Sequence, residues 1–306
     1  MCANDAVEGM AGRAVEGDGR GGTLTSLIDG GVELSRAGHH AEAVQRFQQA
    51  VVEAPDSHDA WVLLSDELCE IADCSGAAVA ADRALAIEAT CDAWLSKAAA
   101  LDGLGRLEES VAALYEASRL EPYNPHVHFN IGRALARQHN AQGALSAFDY
   151  ALTLDSTFAM ALAGKAAALM ALDRMPEARV AADRALAMDP DIALAWQVKA
   201  TALGSERSFA AAEHAIDQAL AIEPNDSELL ALKGAIVGDL GRHGEARQLW
   251  QRALQMDPHN ELARDCLNQS LQDRNQRIAG AAARTGSGCL AALFDVLIAF
   301  VKAIFR

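Results

Sequence analysis

The sequence predicts an all-α fold, a solenoid of seven helical hairpins plus a capping helix. Three observations predict it. Apolar residues make up 51% of the 306 residues and aromatics only 5%, so the apolar character comes from small side chains, alanine above all. Only seven prolines occur and runs of β-branched residues are few, which argues against a sheet. The sequence also matches itself at a shift of 34 residues, the mark of a chain built from stacked supersecondary units.

The chain divides from its N-terminus onward. Residues 1–23 show no helical apolar stripe and are rich in glycine, so a disordered leader is expected there. The leader holds no apolar stretch for a translocon to read, and the six cysteines are unevenly spaced. Both features point to reduced thiols in a cytoplasmic chain, with a position peripheral to a membrane left open by its C-terminus. The 26 basic residues against 42 acidic ones give a formal charge of −16 with no basic cluster, which argues against nucleic acid as a partner.

Residues 24–260 hold the repeats, beginning near Leu24, His58, Cys91, Pro125, Ala159, Ala193 and Ser227, with the second copy one residue short. One column reads Pro55, Ala89, Pro122, Ser156, Pro190, Pro224 and Pro258. Proline lacks an N–H and disfavours helix in the residue before it, so it stops the second helix of a copy. Five residues earlier stands an unbroken alanine column: Ala50, Ala84, Ala117, Ala151, Ala185, Ala219 and Ala253. Such columns mark close helix approach, since a larger side chain would push the backbones apart. Each copy is thus two amphipathic helices and a turn, which must stack on neighbours to bury its apolar face.

The stretch Ala195–Pro224, AWQVKATALGSERSFAAAEHAIDQALAIEP, combines an early aromatic, paired alanines and a terminal proline. With these features the sequence resembles the tetratricopeptide repeat family. The resemblance implies a right-handed stack whose first helices line a concave groove that binds another protein as a peptide or helix, with no cofactor. Repeat 2 lacks the loop proline and carries Cys69 and Cys74 around its turn, and repeat 4 has His128 where tryptophan is expected. Both copies are expected to be less stable than the others.

Placed in this register, the groove of repeats 1–3 is acidic, with Asp29, Asp59, Asp66, Glu70, Asp92 and Asp102. Repeat 4 contributes His126, Phe129, Asn130, Arg133 and Arg137; repeats 5–7 contribute Met160, Ala163, Ala167, Met170, Leu194, Gln197, Val198 and Leu232. Arg133 and Arg137 lie four apart on one helix and can together hold a carboxylate. The column Lys97, Lys165, Lys199 and Lys233 borders small residues, which suits long stems packed between helices with the amine reaching out. No catalytic constellation is legible: the cysteines lack structural-zinc spacing, the histidine pairs lack a matching carboxylate, and no phosphate loop is present. No catalytic or metal site is expected.

Residues 261–278 read as a polar capping helix and residues 279–288 as a flexible linker. The segment 289–306 is the most apolar in the chain, with Leu290, Leu293, Phe294, Leu297, Ile298, Val301, Ile304 and Phe305 around a narrow polar stripe of Asp295 and Lys302. Its 18 residues reach about 27 Å, short of a ~30 Å hydrocarbon core. Three occupants suit it better than spanning: the protein's own groove, a second chain in self-association, or a membrane surface, the last of which would make the chain a membrane-associated assembly or targeting factor anchored by this helix.

Overall fold

The computed structural model describes residues 21–284, with side chains over 22–272. The leader residues 1–20 and the apolar segment 289–306 lie outside the described residues. Everything described is helix, turn or loop, and no helix among the described residues is long and apolar enough to cross a membrane. The chain forms two compact units, Met1–Asp189 and Pro190–Arg306.

The first unit holds repeats 1–5. Repeat 1 pairs α1 (Gly21–Arg36) with α2 (His40–Glu53), and repeat 2 pairs α3 (His58–Glu70) with α4 (Cys74–Ile87). Repeat 3 is α5 (Cys91–Gly103) and α6 (Leu107–Leu120), and repeat 4 is α7 (Pro125–Arg137) and α8 (Ala141–Leu154). Repeat 5 is α9 (Ala159–Ala171) and α10 (Met175–Met188). The second unit holds repeat 6, α11 (Ala193–Ser205) and α12 (Phe209–Ile222), and repeat 7, α13 (Ser227–Asp239) and α14 (His243–Met256). The last helix, α15 (Glu261–Arg284), packs on α13 and α14.

Two boundaries differ from the sequence expectation. Helix α1 begins at Gly21, inside the stretch assigned to the leader. Helix α15 runs through Arg284, six residues into the expected linker. Those six, AGAAAR, are mostly alanine, the strongest helix former, which outweighs the single glycine.

Each hairpin turns on one residue in the left-handed region: Gly38, Ala72, Gly105, His139, Asp173, Arg207 and Gly241, with φ between 58° and 82°. This lets the chain reverse while two N–H groups satisfy the last carbonyls of the first helix, as Gly105 N–H does to Asp102 O (3.0 Å) and Arg106 N–H to Leu101 O (2.9 Å). Side-chain oxygens of Ser57, Asp73, Thr90, Asn124, Asn140 and Asp226 cap the helices that follow them.

The alanine column is completely buried in all seven copies. Its carbonyls accept the N–H of the residue that ends each second helix, such as Glu121 onto Ala117 O (3.0 Å). Across three hairpins a glycine faces a large ring. Gly31 faces Phe47, Gly132 faces Phe148 and Gly234 faces Trp250; a Cβ on Gly31 or Gly132 would lie 2.6 Å from a ring carbon. Where the second-helix position holds Ala81, Leu114, Ala182 or Ile216, the first-helix partner position holds Ser65, Ala98, Ala166 or Ala200. A large second-helix side chain thus meets glycine or alanine, as a dense core requires, whereas repeats 2 and 5 pair two small residues, Ser65 with Ala81 and Ala166 with Ala182.

Candidate functional site

Within the first unit, each second helix packs on the first helix of the next repeat, and the first helices of repeats 2 and 3 and of repeats 4 and 5 also touch directly. A first helix is thus packed on several sides. The stripe it leaves accessible falls at its second, ninth and thirteenth residues, spaced seven and four apart so that all lie on one face.

Those three register positions change character from repeat to repeat. In repeat 2 they are Asp59, Asp66 and Glu70; in repeat 3, Asp92, Ala99 and Gly103. In repeat 4 they are His126, Arg133 and Arg137, all exposed; in repeat 5, Met160, Ala167 and Ala171. None of the twelve is buried. Helix α3 contains no lysine or arginine, and α7 contains no carboxylate.

Side chains tie each successive pair of first helices. Ser35 Oγ of α1 donates to Glu67 Oε1 of α3, and Ser96 Oγ of α5 donates to Asp66 Oδ1 (2.6 Å). Arg137 of α7 forms an ion pair with Asp102 of α5, whose other oxygen, Oδ1, is buried without a hydrogen-bond partner. From repeat 4 to repeat 5 the tie is aromatic: Phe158 lies 4.8 Å from the His126 ring and 5.0 Å from the Phe129 ring.

Electrostatics distinguishes the acidic end. Glu67 is only 3% exposed, yet it also accepts from His40 Nδ1 (2.9 Å), so two donors from repeat 1 stabilise its charge. Its neighbour Asp66 is pushed up to about 7 by burial, helped by the charges of Asp92, Glu67 and Glu70 and opposed by the Ser96 hydrogen bond. Burial also pushes the Cys69 and Cys91 thiols up to about 12, far from a reactive thiolate.

The structure divides the residues expected in the groove. His126, Asn130, Arg133, Arg137, Met160, Ala167 and Met170 are accessible on the first unit. Arg133 and Arg137 do not converge: Arg137 engages Asp102, while Arg133 donates to Asn130 Oδ1 (3.4 Å) and stands 5.9 Å from the Phe129 ring centre. Phe129 is 7% exposed and Ala163 and Val198 are completely buried, so they are corrected from groove to core. Phe129 and Ala163 are the fifth residues of their helices, off the open stripe, and rotate into the packed faces. In the second unit, treated by itself, Leu194 is 37% exposed and Gln197 half-buried; Leu232 packs beside the cluster around Ile216 and Leu229.

The lysine column is a set of ties between repeats. Lys97 reaches Asp82 (2.6 Å), Lys165 reaches Asp149 (2.6 Å) and Lys233 reaches Asp217 (2.7 Å), each aspartate on the second helix of the preceding repeat. Lys199 lies 5.1 Å from the Trp196 ring centre. The aromatic column has a local role. Trp61 Nε1–H donates to Pro55 O (2.9 Å), and Trp196 Nε1–H to Pro190 O (2.8 Å). His128 Nε2 makes the same bond to Pro122 O (2.8 Å). Sequence columns could not reveal the Glu67 cluster, because an interaction made once leaves no repeating trace.

Comparison with known proteins agrees with this geometry. Profiles for the tetratricopeptide repeat match residues 92–124, 129–193 and 198–261. No curated protein matches the chain. Among solved structures, a Cut9–Hcn1 hetero-tetramer of the APC/C aligns with a TM-score of 0.71 at 17% identity, over 79% of this chain. The chain spans 48% of that protein's length. A tetratricopeptide repeat protein from Parabacteroides merdae aligns with a TM-score of 0.64 at 15% identity, over 81% of this chain and 99% of its own. The C-terminal part of a repeat protein from Cytophaga hutchinsonii gives 0.51 at 15% identity, over 78% and 99%. With its matched profiles, its seven hairpins and its shared fold, the chain belongs to the tetratricopeptide repeat family.

Proposed function

We propose that this chain is a non-enzymatic protein-interaction scaffold that binds an extended peptide or a partner helix along the first-helix face of repeats 2–5. One observation carries the reading. Three register positions remain accessible on each of four successive first helices, and they change from carboxylates through arginines to methionine and alanine, while the buried alanine column does not vary. A face free of packing duty that still varies by position suits recognition. Side-chain ties between successive first helices brace the platform, so little ordering of the scaffold opposes binding.

The test selects peptides from a random displayed library on the full chain, then measures them against Arg133→Glu and Ala167→Lys. Both positions lie on the stripe, so each substitution should weaken the selected peptides about tenfold or more with the melting temperature kept. Peptides that bind both variants as tightly as the parent chain would place recognition elsewhere and sink the proposal.

A further inference from the structure

We infer that the face of repeats 2–5 takes a segment of fixed charge order: basic residues against repeat 2, acidic residues against repeat 4, and a large apolar residue against repeat 5. The inference rests on the scaffold reading above and adds the chemistry of the partner.

Charge segregation by helix is what carries it. The open stripe of α3 is three carboxyl groups, and the helix holds no lysine or arginine to neutralise them. Asp59 has His58 Nδ1 beside it at 3.1 Å, and Asp66 has only the Ser96 hydroxyl, so above about pH 7, where Asp66 is ionised, all three groups make the stripe electronegative. Two helices further on, the same positions are a histidine and two arginines on a helix with no carboxylate. Arg133 and Arg137 are both exposed on that stripe, and Arg137 is partly balanced by Asp102. One helix beyond, the positions are Met160, Ala167 and Ala171, and the single charge of that helix, Lys165, is turned to Asp149. Methionine beside alanine makes a shallow surface that repacks around a branched or aromatic side chain.

The spacing follows from helix packing. Neighbouring helices stand about 8–10 Å apart, so repeats 2 and 4 lie roughly 16–20 Å apart on this face. An extended chain covers that in about five or six residues at ~3.3 Å each, and the step to repeat 5 takes about three more. A segment with the opposite charge order would place like charges together at both ends, which penalises it more than a neutral segment.

The experiment uses the full chain and a labelled peptide with two lysines, two glutamates about six residues later and two leucines about three residues beyond. A control peptide exchanges its lysines and glutamates, and a third keeps only the leucines. Binding is read by fluorescence anisotropy at pH 8, in about 50 mM and about 500 mM salt. The matched peptide is expected to bind best and to lose about fivefold or more in high salt. Glu70→Lys and Arg133→Glu each alter an exposed side chain, and a melt checks that the variant is folded. Each should weaken the matched peptide about fivefold, and the double variant should prefer the exchanged peptide. Equal binding of matched and exchanged peptides, with both lost in Met160→Asp, would overturn the charge order and leave the scaffold reading intact. If no charged peptide binds while library-selected peptides do, the charge order is again wrong. Failure of the library selection as well removes both readings.

Discussion

In repeat 4 the Phe148 ring fills the space between Gly132 of its own hairpin and Gly164 of repeat 5. The matching second-helix position in repeat 2 is Ala81, opposite Ser65, whose hydroxyl donates to Ala77 O (2.9 Å). Repeat 2 compensates for its small core with polar bonds to both neighbours: Glu67 to Ser35 and His40, Asp66 to Ser96, and His58 Nε2 to Thr90 Oγ1 (2.9 Å). Thr90 also caps α5 through the N–H of Ala93 (3.2 Å), at the junction that lacks the loop proline. Apolar packing does not titrate, whereas carboxyl groups at a repeat junction do. Two copies of one repeat therefore carry different sensitivities, and the difference can be measured.

The largest expected effect lies in repeat 4. Phe148→Ala removes a ring that is 2% exposed, and its two glycine walls offer no side chain that could move in to fill the space. The substitution should cost about 3–5 kcal/mol, read from the urea midpoint and from faster amide exchange in α7 to α9. A loss below about 1 kcal/mol would show that repeat 4 does not depend on that ring.

The intermediate effect lies in repeat 2 and depends on pH. The Asp66 carboxyl sits at about 7 in the folded chain against an ordinary 3.8. The folded state therefore binds the proton more tightly than the unfolded state between those values. This group's contribution is full below about pH 4, falls as pH rises toward 7 and is gone above it. Amide protection of repeats 1–3 should accordingly decline from pH 5 to pH 8 by roughly 1–3 kcal/mol, after allowance for the part exposure of the side chain. Asp66→Asn should flatten the decline while α7 to α9 stay unchanged in both proteins. An equal decline in repeats 4 and 5 would assign it to something other than Asp66.

The smallest effect is a gain. Ala72 turns repeat 2 at φ 62°, a conformation that glycine adopts at Gly105 in repeat 3. Ala72→Gly should relieve the Cβ penalty and stabilise repeat 2 by up to about 1 kcal/mol, while Gly105→Ala should cost a similar amount. Opposite signs in local exchange would confirm that the turn, rather than the helices around it, is being altered.

What could be read in the sequence was whatever the chain repeats at its period. The alanine columns, the loop prolines and the lysine column each recur at the period, and each proved to be a packing or junction feature. His128 looked like a defect beside the tryptophans, but an imidazole N–H reaches the same carbonyl, so residue type misled where geometry did not. Ala163 and Val198 were expected on the groove from the repeat register, and both are buried. Packing on several sides narrows the open stripe, and a step of about 100° per residue takes a side chain from open face to core. The Glu67 cluster joins residues 27 and 32 positions apart and occurs once, so no column pointed to it.

The lysine–aspartate ties also govern which pieces of the first unit can be removed or duplicated. Where the lysine position holds Leu64 or Ile131, the aspartate position of the preceding repeat holds Gln48 or Tyr115. The junctions therefore alternate, uncharged, charged, uncharged, charged, from repeat 1 to repeat 5. Cutting out repeat 3 alone would set Asp82 against Ile131, and cutting out repeat 4 alone would set Tyr115 against Lys165, leaving a charge without its partner at a packed seam. Removing repeats 3 and 4 together brings Asp82 to Lys165, and removing 2 and 3 brings Gln48 to Ile131, so both edges match. Removal of these internal pairs of hairpins thus preserves the lysine–aspartate register, and removal of repeat 3 or 4 alone breaks it, which makes two repeats the smallest block of this unit that is interchangeable by that register.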